Sequence, residues 1–394
     1  AALERYAPHV DRLAACIAAT LDAGRRIYLC GGGATGPLSL SLEFLWREKH
    51  GADDRVRSFM AGGDVALVHA LPGFEDHPAY GARHLEEMGF ANGDLLIACT
   101  EGGETSYVIG ATERAATLSS NVPWFLYCNP DAILSRHVER FRRVKENPGI
   151  RKLCLDTGPM ALTGSTRMQA STILMMAVGL ALLDPDQPAA LSIAAYRTAL
   201  AGIDFSFLTG FIEEEARIYA AGDHVTYRVR DFGITVLTDT TERAPTFSLI
   251  PFDQLRDRKG VHSQCYVSLP DAADSDEAWQ RLLNRDPRAL DWPDVDARTS
   301  PDYLHAFDFS ARSAQRRRDQ IPQRRHHDFR IGRGDAGIGF SLAGLRHEVV
   351  VDGAPDLFHV VTQAGGLLID ERARARSAVA VGFIVEDLAV AIQA

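Results

Sequence analysis

Apolar residues recur along this chain in two rhythms. Residues 13–21 carry them at helical spacing and end at Ala23-Gly24, a pair suited to closing a helix. Ile27-Tyr28-Leu29-Cys30 is apolar throughout, as a strand buried on both faces should be. Gly31-Gly32-Gly33-Ala34-Thr35-Gly36 then turns the chain into a helix reaching Trp46. The alternation continues. Arg57-Ser58-Phe59-Met60 predicts a second strand, stopped by Ala61-Gly62-Gly63 and followed by a helix through Leu71. The turn Pro72-Gly73-Phe74-Glu75-Asp76-His77-Pro78 exposes two acids before an amphipathic helix over 80–88. Residues 95–99, 122–127 and 153–155 read as further strands. Thr100-Glu101-Gly102-Gly103-Glu104-Thr105-Ser106 is a second Gly/Thr/Ser turn, and Thr163-Gly164-Ser165-Thr166 a third, opening a long apolar helix to Leu183. Strands and helices alternating at intervals of roughly 25 to 35 residues predict an α/β fold, a parallel sheet covered on both faces. Ligands on such sheets lie at the carboxyl ends of the strands, where all three turns fall.

The pattern then restarts. Asp184 to Pro188 breaks the long helix, and the polar stretch to Asp204 reads as a domain boundary. Residues 205–221 form a helix ending Ala221-Gly222, as the first ended Ala23-Gly24, and residues 225–229 are the strand after it. Gly233-Ile234-Thr235-Val236-Leu237 opens the next helix, which runs through Glu242 until Pro245 forces the chain out. The halves are offset by about 198 residues, the mark of a tandem duplication. Beyond, residues 261–269 predict a strand. Residues 271–308 are acidic, with Trp279, Trp292 and Tyr303 as anchors, and residues 310–330 are rich in Arg, which suits a solvated helix face. Residues 357–369 and 378–390 finish the chain with apolar segments. The second half has no Gly/Ser turn after its later strands, so it reads as a degenerate copy. The expected domains are residues 1–200 and 201–394.

Composition narrows the partners. The 394 residues suffice for about two domains. Hydrophobic residues at 46% and charged residues at 24% are globular proportions, and a net charge of −10 argues against nucleic acid or a membrane surface. No apolar run reaches the roughly 18 residues of a membrane span. No basic-then-apolar leader stands at the start, and Cys16, Cys30, Cys99, Cys128, Cys154 and Cys265 form no CxxC pair. Buried, reduced thiols in a cytoplasmic protein are expected. His326-His327 stands beside no ligand set at metal spacing, so neither a metal nor a cofactor is expected.

The turns suggest what the sheet binds. A strand, a Gly-rich turn and a helix start present backbone N–H groups and the positive end of a helix dipole to an anion. Arg167 stands beside the third turn. The first turn lacks both GxGxxG spacing with a ribose-binding acid and a GK[ST] ending, so a dinucleotide or a P-loop nucleotide fits poorly. Taken alone, Thr-Gly-Ser is also an ordinary helix cap.

Five ordered segments resemble the sugar isomerase (SIS) fold, and within it the N-acetylmuramic acid 6-phosphate etherase and glucokinase regulatory protein group. They are residues 31–36; Met60-Ala61-Gly62-Gly63; Pro72-Gly73-Phe74-Glu75-Asp76; Thr105-Ser106-Tyr107-Val108-Ile109-Gly110; and Gly158-Pro159 with Thr163-Gly164-Ser165-Thr166-Arg167-Met168. Together they lie within residues 23–183. The fold implied is two tandem three-layer αβα domains with parallel, doubly wound, flavodoxin-like sheets, the second degenerate. Residues 233–247 are similar to the etherase segment that carries one of that family's two catalytic glutamates, which falls on Glu242; the other falls on Glu75. At the first-half position equivalent to Glu242 stands Phe44, with Glu43 nearby. The resemblance thus implies one catalytic acid per half, in a chain that looks like a fused dimer. An internal pseudo-dimer is expected, with a homodimer of the whole chain as the further option.

By the same resemblance Glu75 is the base that takes the C2 proton of an open-chain sugar, and Glu242 the acid that protonates the oxygen leaving C3. The substrate, a small phosphorylated sugar, is expected at Gly32, Gly33, Ala34, Thr35, Gly62, Gly102, Gly103, Glu104, Thr105, Ser165, Thr166 and Arg167. The chain also departs from the family. Gly102-Gly103-Glu104-Thr105 replaces a Ser-Gly-Arg-Thr phosphate turn, and a Glu beside a phosphate dianion is unfavourable unless it points away. Gln169 stands where a Lys is usual. An etherase-like lyase is the leading expectation. An aldose–ketose sugar-phosphate isomerase and a non-catalytic sugar-phosphate sensor are the alternatives.

Overall fold

The structure, a computed structural model, describes residues 2–71, 73–160, 169–230, 232–247, 250–254, 262–333 and 337–350. The first half runs α1 (Ala7–Asp22), β1 (Ile27–Gly31), α2 (Thr35–His50), β2 (Val56–Met60), α3 (Pro78–Glu87), β3 (Leu95–Cys99), α4 (Ser106–Leu118), β4 (Trp124–Tyr127), α5 (Asp131–His137), α6 (Glu139–Glu146), β5 (Arg151–Cys154), α7 (Gln169–Leu183) and α8 (Ala189–Ala201). The second continues with α9 (Leu208–Ala220), β6 (His224–Val229), α10 (Gly233–Phe247), β7 (Cys265–Ser268), α11 (Ser275–Leu283), α12 (Pro301–His305), α13 (Ala311–Gln320), β8 (His326–Arg333), β9 (Gly337–Leu342) and β10 (Leu345–Val350).

The first sheet has the order β2-β1-β3-β4-β5, parallel throughout. That is the doubly wound arrangement expected, with the direction of winding reversing between β1 and β3. Every residue of β1 and of β3 is buried, which explains their unbroken apolar runs. Helices α1 and α2 pack on α7, as α3 and the 3₁₀ turn Phe74–Asp76 pack on α4, giving the sheet its two covering layers.

Three local expectations about helices are corrected. The helix expected through Leu71 is only a 3₁₀ turn, Asp64–Leu67, because the Asp64 carboxylate is drawn into a buried ion cluster described below. The polar stretch expected as a boundary contains α8, whose first N–H is capped by Asp11 at 2.8 Å and whose Arg197 pairs with Glu4, so it packs back on α1. Pro245 does not end its helix. It sits in the last turn of α10, two residues from Phe247, where little helix remains to disturb.

The second sheet has the order β10-β9-β8-β6-β7. Its centre, β7-β6-β8, repeats the parallel β2-β1-β3 arrangement. Its outer part departs from the parallel sheet expected: β8, β9 and β10 are antiparallel. Only Ala343-Gly344 joins β9 to β10, with φ of 49° and 95°. Two residues make a hairpin, whereas a parallel return needs a crossover of about a dozen residues. The segments at 357–369 and 378–390 lie outside the described residues.

Residues 284–305 lie across the first half. Arg285 donates to Asp64 (2.6 and 2.9 Å) and to Glu43 (3.1 Å), and Arg288 forks onto Glu43 (2.7 and 2.9 Å). Farther along, the Trp292 indole N–H donates to Glu87 at 2.7 Å while its ring stacks near Phe74 and under the Arg83 guanidinium. Trp279 turns the other way, into the second core, and donates to the Phe307 carbonyl at 3.0 Å. The Arg-rich stretch is not wholly a solvated face either: Arg317 is buried, with its guanidinium on Asp253 (3.1 Å) and over the Tyr266 ring.

Candidate functional site

The carboxyl ends of β1, β2 and β3 meet where the turns predicted. In the first turn Gly33 has φ of +54°, a left-handed conformation that disfavours any side chain. A Cβ there would stand 3.3 and 3.4 Å from the two carboxylate oxygens of Glu75. The local sequence explains that approach. Gly73, with φ of +85°, starts a 3₁₀ turn over Phe74–Asp76, and Phe74 is buried against Tyr80 and Trp292. With Phe74 anchored, Glu75 lies exposed over the Gly33 turn.

Thr35, expected to touch substrate, is fully buried. Its hydroxyl accepts the Gly32 N–H at 3.0 Å and lies 2.8 Å from the carbonyls of both Gly32 and Cys99. It braces the first turn against the end of β3, where no hydroxyl is left over for a ligand. Gly32 faces the Thr105 methyl, and a Cβ on Gly32 would come within 3.0 Å of it. Ala34 is the N-cap residue of α2 and only partly exposed. Gly62 lies just past β2, its open side turned to Ala66 rather than to Glu75.

On the third strand's turn, Thr105 is the N-cap of α4, and its hydroxyl lies 2.9 Å from that of Thr100. Gly103, with φ of +78°, has no room for a side chain against Leu134. Gly102 accepts from the Asn129 amide at 3.2 Å. Glu104 pairs with Arg140 at 3.0 Å, both about half exposed, so its charge is directed along the surface of α6. Sequence reading passed over Glu101, which is buried at the end of β3 and accepts a hydrogen bond from Ser171 of α7. Its position directly after a buried strand, ahead of the glycines, is the signal that could have found it.

The remaining expected residues are only partly visible. Ser165, Thr166 and Arg167 lie outside the described residues, as does the side chain of Glu242. The backbone of Glu242 belongs to α10, which packs against α2 and the Asp64–Leu67 turn, and its neighbour Thr241 donates to the Leu67 carbonyl at 2.9 Å. Helix α10 of the second half therefore borders the first half six to nine residues ahead of Gly73. Glu43, by contrast, faces the buried ion cluster and accepts from the Ser58 N–H at 2.8 Å.

Burial pushes the Cys99 thiol up to about 12 and the Cys154 thiol to about 11, so neither is a ready thiolate. Among the described residues no group of His, Cys, Asp and Glu could hold a metal, and His327 pairs with Asp223 at 3.2 Å. No described helix is long and apolar enough to cross a membrane.

Comparison with known proteins agrees with the sequence resemblance. No family model matches the chain. Over 172 residues it is 31% identical to an N-acetylmuramic acid 6-phosphate etherase of Klebsiella aerogenes, covering 43% of this chain and 53% of that one. Over 173 residues it is 34% identical to N-acetylmuramic acid 6-phosphate etherase 2 of Vibrio cholerae serotype O1, covering 44% and 51%. The chain thus spans about half the length of the curated relatives it matches. Solved structures are more distant. The tagatose-6-phosphate ketose/aldose isomerase of Escherichia coli superposes with a TM-score of 0.41 at 14% identity, over 68% of this chain and 64% of that one. The C-terminal domain of glucosamine-fructose-6-phosphate aminotransferase from Francisella tularensis gives 0.41 at 10%, over 99% and 95%. Likeness that loose says nothing of activity. The aligned etherase sequences, the ordered turns and the β2-β1-β3-β4-β5 sheet together support assignment of the first half to the SIS fold.

Proposed function

We propose that the protein is an etherase-like lyase acting on a phosphorylated amino sugar. Glu75 removes the C2 proton and Glu242, from the other half, protonates the oxygen that leaves C3. The observation that carries this reading is the carboxylate of Glu75 lying over the Gly33 turn, at the end of the sheet where ligands of doubly wound folds sit. Backbone N–H groups of the first and second turns, with Ser165, Thr166 and Arg167, hold the anionic end of the sugar. The etherases similar to this chain support the reaction class. The halves work as an internal pseudo-dimer in a reducing, cytoplasmic setting.

The test is incubation of N-acetylmuramic acid 6-phosphate with the protein in heavy water, followed by NMR. Wild type should exchange the C2 proton and release the C3 substituent. Glu75→Gln should abolish exchange, whereas Glu242→Gln should keep exchange and slow release. Binding without exchange or release in wild type would overturn the lyase.

A second reading, a sugar-phosphate sensor without turnover, is favoured by one observation. Glu104 stands in the second turn and brings negative charge to where a phosphate would sit, even while paired with Arg140. Exchange at C2 by wild type excludes it, and exchange without loss of the C3 group would instead favour an aldose–ketose isomerase.

A further inference from the structure

The candidate site has a counterpart in the second half. Ile27 of β1 corresponds to Val225 of β6 and Thr35 of α2 to Gly233 of α10, an offset of 198 residues. The parallel strand order around β1 is repeated around β6. The same offset sets Gly32 against Arg230 and Phe44 against Glu242. Since α2 and α10 pack on each other, each half presents the side of its long helix to the turns of the other.

At the position so related to the first site, the chain holds a cavity of about 380 Å³. Leu269 and Arg230 line it from the ends of β7 and β6, Phe44 and Glu48 from α2, and Asp271 and Arg281 complete the ring of polar groups. That volume falls within the range of small-molecule sites, about 300 to 1,000 Å³.

We infer that this cavity is a second ligand site, which binds an uncharged monosaccharide without transforming it. At the 198-residue offset Phe44 stands where the second half has Glu242, so the acid proposed for a leaving group is missing. The glycine turn is missing too, replaced by Arg230. Neither arginine is a surplus cation for a phosphate: Arg230 pairs with Asp271 at 2.9 Å and Arg281 with Glu277 at 2.5 Å. What remains is balanced charge already oriented by ion pairing, which suits hydroxyl groups that both donate and accept. Phe44 and Leu269 supply the apolar surface against which the C–H face of a pyranose packs.

Saturation-transfer NMR on the full chain, with glucose and N-acetylglucosamine as probes, tests this. Wild type should show transfer, and Glu75→Gln should show it equally, because that residue belongs to the other site. Arg230→Ala should weaken binding at least tenfold. So should Asp271→Trp, which fills the mouth from an exposed turn; circular dichroism melting reports whether each variant is folded. No transfer in wild type would overturn the inference. So would binding that survives Arg230→Ala, or binding lost in Glu75→Gln. Turnover at the Glu75 site is read separately by C3 release, so failure of one proposal leaves the other standing.

Discussion

Arg285 of the second half forks onto the carboxylate of Asp64 in the first, Nη1 to Oδ2 at 2.6 Å and Nη2 to Oδ1 at 2.9 Å, with both side chains buried. Asp64 also accepts the Arg288 backbone N–H at 2.6 Å, and Glu43 lies within reach of both arginines. Removing one partner of such a cluster leaves buried charge uncompensated, which costs about 3 to 5 kcal/mol. Arg285→Met should lose stability of that order in chemical denaturation. Adding Asp64→Asn to it should recover part of the loss, since the orphaned carboxylate goes too. A loss under about 1 kcal/mol would place the pair among those that contribute little.

Acid should unfold the protein in two stages. Burial holds His84 and His224 down to about 3, so both stay neutral in the fold while the unfolded chain takes up protons below about 6.5. Their folded values are depressed, so stability falls as pH drops from about 6.5 towards 3, by up to about 1.4 kcal/mol per pH unit for each. Burial alone would raise Glu43, but Arg285 and Arg288 outweigh it and hold the carboxyl at about 2. Its contribution is complete above the ordinary carboxylate value of 4.5 and lost as pH falls towards 2. Denaturation midpoints measured from pH 7 to pH 3 should therefore decline before pH 5. Glu43→Gln should flatten only the lower part of that curve.

Gly33→Ala should damage chemistry more than folding. The added methyl would meet both Glu75 oxygens, on a backbone with φ of +54°. The strain is worth about 1 to 2 kcal/mol. Turnover should fall at least tenfold beyond what the change in melting temperature explains; an unaltered kcat would remove Glu75 from its assigned role.

Glu104→Ser should strengthen binding of phosphorylated sugars. The substitution removes a like charge near the turn and supplies a hydroxyl. Because Glu104 and Arg140 are about half exposed, their pair contributes under about 1 kcal/mol to the fold. Titration calorimetry should show the Kd for a sugar phosphate fall by about three- to tenfold at low salt, and less at high salt. No change would mean that the ligand's anionic end lies elsewhere.

The first sheet was legible because its central strands β1 and β3 are buried on both faces and each runs into a glycine turn; both stand where their apolar runs put them. Helix α8 was missed because Asp184, Asp186 and Pro188 look like the start of a linker, while the alanine-rich stretch behind them has no strong apolar stripe. The hairpin at Ala343-Gly344 carries no asparagine or aspartate to announce its positive φ values. Of the candidate site, the glycine turns and the presence of Glu75 beside them could be read from motifs. The task of Thr35 could not, since a hydroxyl that braces two turns and one that binds a ligand are the same letter. Nor could Arg285, whose carboxylate partners stand more than 200 positions away in sequence.

The Thr35 hydroxyl spans the first turn and the last carbonyl of β3, in a place closed to water. Two neighbouring loops are thereby made one rigid platform, set during folding rather than on encounter with a ligand. Any group that docks at the Gly33 turn therefore meets backbone N–H groups whose directions are fixed before it arrives.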